Sequence, residues 1–184
     1  MATRSGLTLD QFLEMEETKP ASEYACGEAF QKPMPDIPHA AIQFLLAAVL
    51  YPYLEQTGVG RAFTELRCIF GPPGRERTYV PDLTYVAKAR LPSQLERHLH
   101  AAPDLALEIL SPDQHMPEFL DKIQFYLLCG VRLVWVIDPA TATVAVQAPG
   151  EEARILRSGE TLDGGDVLPG FRVAVDDIFA QMQI

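Results

Sequence analysis

Two short apolar runs, Asp104 to Leu110 and Leu133 to Ile137, constrain this chain more than any other feature. Apolar residues at consecutive positions suit strands buried on both faces, at the centre of a sheet. Between them lies PEFLDKIQFYLLCG, with Pro117 at its start, Gly130 just past its end, and Phe119, Leu120, Ile123, Tyr126 and Leu127 at helical spacing. The roughly 22 residues from Leu110 to Leu133 are the length of a right-handed crossover joining parallel strands. An α/β or α+β fold with a mixed central sheet flanked by helices follows.

The remaining elements fill in around this unit. Arg61 to Phe70 and Thr78 to Val86 read as two further strands, and Thr143 to Gln147 and Ala153 to Leu156 as two more. A helix near Val175 to Met182 closes the chain. Thr8 with Gln11 three residues on forms a capping box that opens a helix from Leu9 to about Glu17, stopped by Lys19-Pro20. Residues 23 to 33 alternate loosely, as a strand or hairpin edge. Pro38 then opens a long, largely buried helix over HAAIQFLLAAVLYPYLEQTG. No repeat or linker is visible, and 184 residues with 48% hydrophobic content suffice for one core. A single domain over residues 1–184 is expected, with 1–20 as an N-terminal helical appendage.

Cys26, Cys68 and Cys129 are odd in number, widely spaced and without a ligand pattern, so they read as buried thiols of a reducing compartment. The N-terminus lacks the apolar run of a signal peptide, and no stretch shows the ~18 to 20 uninterrupted apolar residues of a membrane span. A cytoplasmic protein with no membrane partner is expected. A net charge of −10 opposes a non-specific nucleic-acid coat, because phosphate binding relies on Lys and Arg releasing counterions. Residues 61–97 run the other way, with Arg61, Arg67, Arg75, Arg77, Lys88, Arg90 and Arg97 against Glu65, Glu76, Asp82 and Glu96. Either a solvated rim or a backbone-binding edge fits that segment.

Two carboxylates stand out. Asp82 follows Tyr79-Val80-Pro81 inside a β-rich run, and Glu108 is embedded in Leu105-Ala106-Leu107 and Ile109-Leu110. Burying either one unpaired costs several kcal/mol, on the order of a whole protein's margin of stability. Two such groups on neighbouring strands repel unless a positive charge stands between them, and a hard divalent cation does this well. The alternative is that each pairs with an arginine or caps a turn. Lys122 lies between Phe119 and Tyr126 at helical spacing, so its stem runs along the margin of the buried face. Its ammonium either reaches the sheet, where it would stabilise charge developing on a phosphodiester, or snorkels to solvent.

The ordered set Tyr79-Val80-Pro81-Asp82, Pro103 through Glu108 to Ser111-Pro112, Asp121-Lys122 with Tyr126, and Gly130-Val131 through Trp135 to Asp138-Pro139 resembles the Uma family of restriction endonuclease-like proteins. Glu23-Tyr24 with Gly27-Glu28 and then His39 is similar to that family's opening. Gly159-Glu160, Leu168-Pro169-Gly170-Phe171 and Ile178-Phe179-Ala180 are similar to its ending. The resemblance implies a PD-(D/E)XK nuclease core, with Asp82 and Glu108 as ligands of Mg²⁺ or Mn²⁺ and DNA as substrate. Leu110 stands where the superfamily's general pattern has lysine, and Lys122 on the next helix is the replacement. Glu28 matches an early acidic position and would add a ligand or orient a water.

His39 reads as a capping or core histidine, Ser111 as turn chemistry before Pro112, and Trp135 as core. His98, His100 and His115 lack zinc-ligand spacing. The expected function is metal-dependent hydrolysis of DNA by Asp82, Glu108, Lys122 and Glu28. The alternative is an inactive binding or oligomerisation module on the same fold, with a homodimer compatible with either.

Overall fold

The computed structural model describes residues 4–94 and 96–182. In chain order the elements are β1 (Arg4–Ser5), α1 (Leu9–Leu13), β2 (Ser22–Ala25), β3 (Glu28–Gln31), α2 (Ile37–Thr57), β4 (Gly60–Thr64), β5 (Cys68–Phe70), β6 (Arg77–Tyr79) and β7 (Leu83–Ala87). There follow β8 (Leu105–Ile109), α3 (Met116–Leu128), β9 (Leu133–Asp138), β10 (Thr143–Gln147), β11 (Arg154–Leu156), β12 (Thr161–Gly164), β13 (Leu168–Ala174) and α4 (Val175–Phe179).

The central sheet has six strands in the order β11-β10-β9-β8-β7-β4. Its one parallel pair is β8 with β9, in register from Leu105↔Leu133 to Ile109↔Ile137, joined by α3 as the apolar runs imply. Side chains alternate across these strands. Leu105, Leu107, Ile109, Leu133, Trp135 and Ile137 face one core, shared with α2, α4 and the β12–β13 hairpin. Ala106, Val134 and Val136 face the other, shared with Phe119, Ile123 and Tyr126 of α3. By the same period of two, Glu108 falls on the α3 face.

A second sheet of five strands, β1-β3-β2-β6-β5, lies on the α3 side of the molecule. It changes how two expected strands are built. Arg61 to Phe70 is divided into β4 and β5, and Thr78 to Val86 into β6 and β7, each pair split between the two sheets. The physical cause of the second break is Pro81, which has no N–H to offer a ladder. At the first break Glu65 adopts a left-handed backbone, φ 52°. The chain therefore crosses between sheets at both breaks, and Asp82 stands on a crossing instead of inside a strand.

Further expectations are corrected. Helix α1 ends at Leu13, with Glu14 as C-cap, short of Glu17. The early segment is tied into the second sheet: β1 pairs with β3, and Phe12 is buried against Tyr24 with ring centroids 5.4 Å apart. Residues 1–3 lie outside the described residues. Helix α2 is capped by Asp36, whose side chain accepts the His39 N–H at 2.9 Å, and it ends at left-handed Gly58. It buries only one stripe, Ile42, Leu46, Leu50 and Leu54, at about 1.5–3 kcal/mol per side chain. Ile37, Phe44 and Tyr51 are exposed. Among the described residues, α2 alone is long and apolar enough to cross a membrane by length and composition. Cys26 is exposed, Cys129 half-buried and Cys68 buried, so only the last fits the expected buried thiol. The β12–β13 hairpin is an element beyond the expected strands.

Candidate functional site

A cleft of about 140 Å³ opens where the two sheets meet the N-terminal end of α3. Asp82, Glu108 and Lys122 all line it, together with Glu23, Lys32, His39 and Ser111. Glu28 does not: it is an exposed residue of β3, paired in register with Ala25. The early acid that reaches the cleft is Glu23, one strand back, and buried.

Asp82 is placed by its crossing. Its Oδ2 accepts the backbone N–H of Ile109 at 2.7 Å, which pins the crossing to the end of β8 beside Glu108. Its Oδ1 accepts from the Lys32 ammonium at 2.6 Å and lies 3.3 Å from His39 Nε2. Burial alone would raise this carboxyl; the Lys32 charge and the His39 contact outweigh it and hold Asp82 well below the usual carboxylate range. Burial in turn opposes the Lys32 charge, and Asp82 and Glu108 more than offset it, so that ammonium titrates above its ordinary value.

Glu108 projects toward α3, where its Oε1 accepts from Tyr126 O–H at 2.7 Å and is ion-paired with Lys122 Nζ at 2.8 Å. Its Oε2 accepts no hydrogen bond among the described residues. Burial pushes its carboxyl up to about 7, against the pull of Lys122 and with the negative charge of Asp82 adding to the rise. Lys122 sits on the same face of α3 as Phe119, Ile123 and Tyr126, buried. Its ammonium also donates to Glu23 Oε1 at 2.9 Å, and that oxygen accepts the Val80 N–H at 2.8 Å. Burial disfavours the Lys122 charge, but Glu108 and Glu23 raise its pKa above the ordinary lysine range. The lysine thus reaches the sheet and is enclosed in ion pairs with two acids.

His39 is a core histidine with a cleft-facing edge. Its Nδ1 lies 3.4 Å from Ser111 Oγ, and its Nε2 is buried without a hydrogen-bond partner. Lys32, Glu65 and Gln43 were not marked by the sequence, because no local periodicity links them to Asp82. Glu23 was visible only as part of the resemblance. In the basic segment 61–97, Arg61, Arg75, Lys88 and Arg97 are exposed, whereas three other cations are tied to acids of the chain. Arg67 is buried and paired with Glu17 at 2.8 Å, Arg90 is paired with Asp104 at 2.8 Å, and Arg77 pairs with Asp121 while lying over the Phe125 ring. Of the three acids only Asp104 is buried; Glu17 and Asp121 are about half exposed.

The donor set suits a hard cation. Mg²⁺ needs only one or two carboxylates, with waters and substrate phosphate completing its shell, and Glu108 Oε2 is without a partner on the cleft. Among the described residues no group of three or more His, Cys, Asp or Glu side chains is arranged to hold an ion. At Asp82 Oδ1 the Lys32 ammonium stands in the way.

The fold with this cleft is that of a nuclease. A solved structure of a "putative nuclease belonging to DUF820" from Anabaena variabilis superposes with a TM-score of 0.88 at 34% identity, over 95% of this chain and 98% of that one. Residues 9–176 match the sequence profile of the family described as "Uma2: Putative restriction endonuclease". The chain belongs to the Uma2 family. No curated protein matches it.

Proposed function

We propose that this protein is a divalent-metal-dependent endonuclease that hydrolyses phosphodiester bonds in DNA. The observation carrying this reading is the convergence of Asp82, Glu108 and Lys122, which lie far apart in sequence, in one cleft of a nuclease fold. Asp82 and Glu108 would hold Mg²⁺ or Mn²⁺, which when bound acts as a Lewis acid on the phosphate. Lys122, fixed between Glu23 and Glu108, supplies a positive charge where negative charge develops on the phosphate oxygens. The Ile109 N–H and the Tyr126 hydroxyl hold the two carboxylates in place before substrate arrives. Asp113 and Glu118, which also line the cleft, add negative charge that a phosphate must approach. A cation in the cleft offsets that repulsion.

The test is nicking of supercoiled plasmid with Mg²⁺ or Mn²⁺, comparing wild type with Asp82→Ala and Lys122→Ala. Metal-dependent nicking that falls about 100-fold or more in both variants is expected, the scale of losing one charge-stabilising group. A folded wild type that nicks nothing favours the second reading, an inactive nuclease-fold module. That reading draws on the enclosure of both lysines in ion pairs, which already compensates most of the cluster's negative charge. Self-association through the exposed face of α2 is compatible with both readings.

A further inference from the structure

Lys32 occupies a position unlike that of Lys122. Both acceptors of Lys122, Glu23 and Glu108, are buried and held by further bonds from Val80 N and Tyr126 O–H. Lys32 extends from the residue after β3 to the two sheet crossings. Its ammonium donates to Val80 O at 2.7 Å and Asp82 Oδ1 at 2.6 Å, and lies 3.6 Å from Glu65 Oε2 on the neighbouring crossing. The Asp82 side chain is 1% exposed and that of Glu65 48%, so the ammonium stands between a dry acceptor and a wet one.

Glu65 is held in that place by two features. Its backbone is left-handed, φ 52°, a conformation that disfavours a residue with a Cβ. Its Oε1 accepts from Gln43 Nε2 at 2.9 Å, and the same amide nitrogen donates to the Asp82 carbonyl at 2.8 Å. One glutamine therefore ties the Glu65 side chain to the backbone of Asp82.

We propose that Lys32 is a resident counter-cation of the cleft, which neutralises Asp82 in the metal-free protein and moves to Glu65 when a divalent ion takes Asp82 Oδ1. This rests on the metal-site reading above. A buried carboxylate without a counter-charge is strongly destabilising, so the ammonium is needed while no metal is bound. Once an ion of charge +2 reaches the same oxygen, the two cations repel at short range in a poorly screened site. Glu65 lies within a small side-chain rotation and is half solvated, so the ammonium need not remain buried against the ion. Lys32 thereby lowers the affinity of the site for metal, and Glu65 limits that penalty.

Calorimetric titration of Mn²⁺, without DNA, into wild type, Lys32→Met, Glu65→Gln, the double variant and Asp82→Asn tests this. Lys32→Met is expected to bind Mn²⁺ at least tenfold more tightly than wild type. Glu65→Gln is expected to bind several-fold more weakly, and that loss should shrink in the Lys32→Met background, because the pair is coupled through the moving ammonium. If Lys32→Met binds no more tightly while Asp82→Asn abolishes binding, the counter-cation role is overturned and the metal site stands. Should Lys32→Met fail to fold, Glu65→Gln, half exposed, decides: unchanged affinity overturns the proposal. Absence of Mn²⁺ binding in wild type and Lys32→Met alike overturns the metal reading and this proposal with it.

Discussion

Glu108 and Asp82 are both buried acids, and their environments push their titrations in opposite directions. The Glu108 carboxyl is raised from about 4.5 to about 7, so between those values the folded protein holds a proton that the unfolded chain has released. This group therefore makes stability fall as pH rises from about 4.5 to 7. Asp82 is depressed, so its contribution is present above about 3.8 and is lost as pH falls below that value. In metal-free protein, Glu108→Gln should flatten the decline of Tm across pH 4.5–7 and leave the acid limb untouched. Thermal melts in EDTA at several pH values check this. A wild-type Tm that rises through this window in parallel with the variant would show that Glu108 is ionised well below neutrality.

Each strand and helix around the cleft does its placing through period and packing. The alternation of β8 turns Leu105, Leu107 and Ile109 to one core and Ala106 and Glu108 to the other, so one apolar strand delivers an acid to the foot of α3. On α3, the stripe of Phe119, Ile123 and Tyr126 fixes the rotation that brings Lys122 over it. Strand β4 depends on close approach to β7. A Cβ added at Gly60 would lie 2.3 Å from the Val86 carbonyl oxygen and 2.5 Å from the Tyr85 ring. Because backbone cannot yield there, Gly60→Ala should destabilise by about 2 kcal/mol, the usual size of an overpacking penalty. Urea unfolding would show it as a lower midpoint at unchanged slope; an unchanged midpoint would mean the β4 edge can shift freely.

For the molecule as a whole, the outer face of α2 is the most unusual surface. Ile37, Phe44 and Tyr51 recur at seven-residue intervals and are 81, 71 and 64% exposed. No Asp, Glu, Lys or Arg occurs from Ile37 to Leu54. Soluble monomers rarely leave a contiguous apolar patch of more than a few hundred Å² uncovered. The exposed alanines at 40 and 48 lie between the large side chains, a pattern that a second α2 related by a twofold axis can interdigitate. Light scattering is expected to give twice the chain mass for wild type and the monomer mass for Phe44→Glu. A wild-type monomer at micromolar concentration would remove α2 as a self-association surface.

The amino-acid pattern by itself determined the βαβ unit, because apolar runs, a helical stripe and a Pro-to-Gly boundary are local signals. It also marked Asp82, Glu108 and Lys122, since a charge within apolar periodicity is visible without coordinates, and their order carried the family resemblance. Asp104 is likewise buried, at the other end of the strand. Only the structure shows Asp104 fully engaged by Ala87 N–H, Arg90 and Arg132. Pro81 marks one strand break in the sequence, but tertiary structure decided that the run from Arg61 to Phe70 divides between sheets, because the continuation of a strand depends on which edge is available to pair with it. It also decided that Glu23 and not Glu28 enters the cleft, a difference of hairpin placement that their spacing does not specify. Lys32 is the clearest case: it meets Asp82 fifty positions away, and no periodicity reports a contact that exists only where two sheets cross.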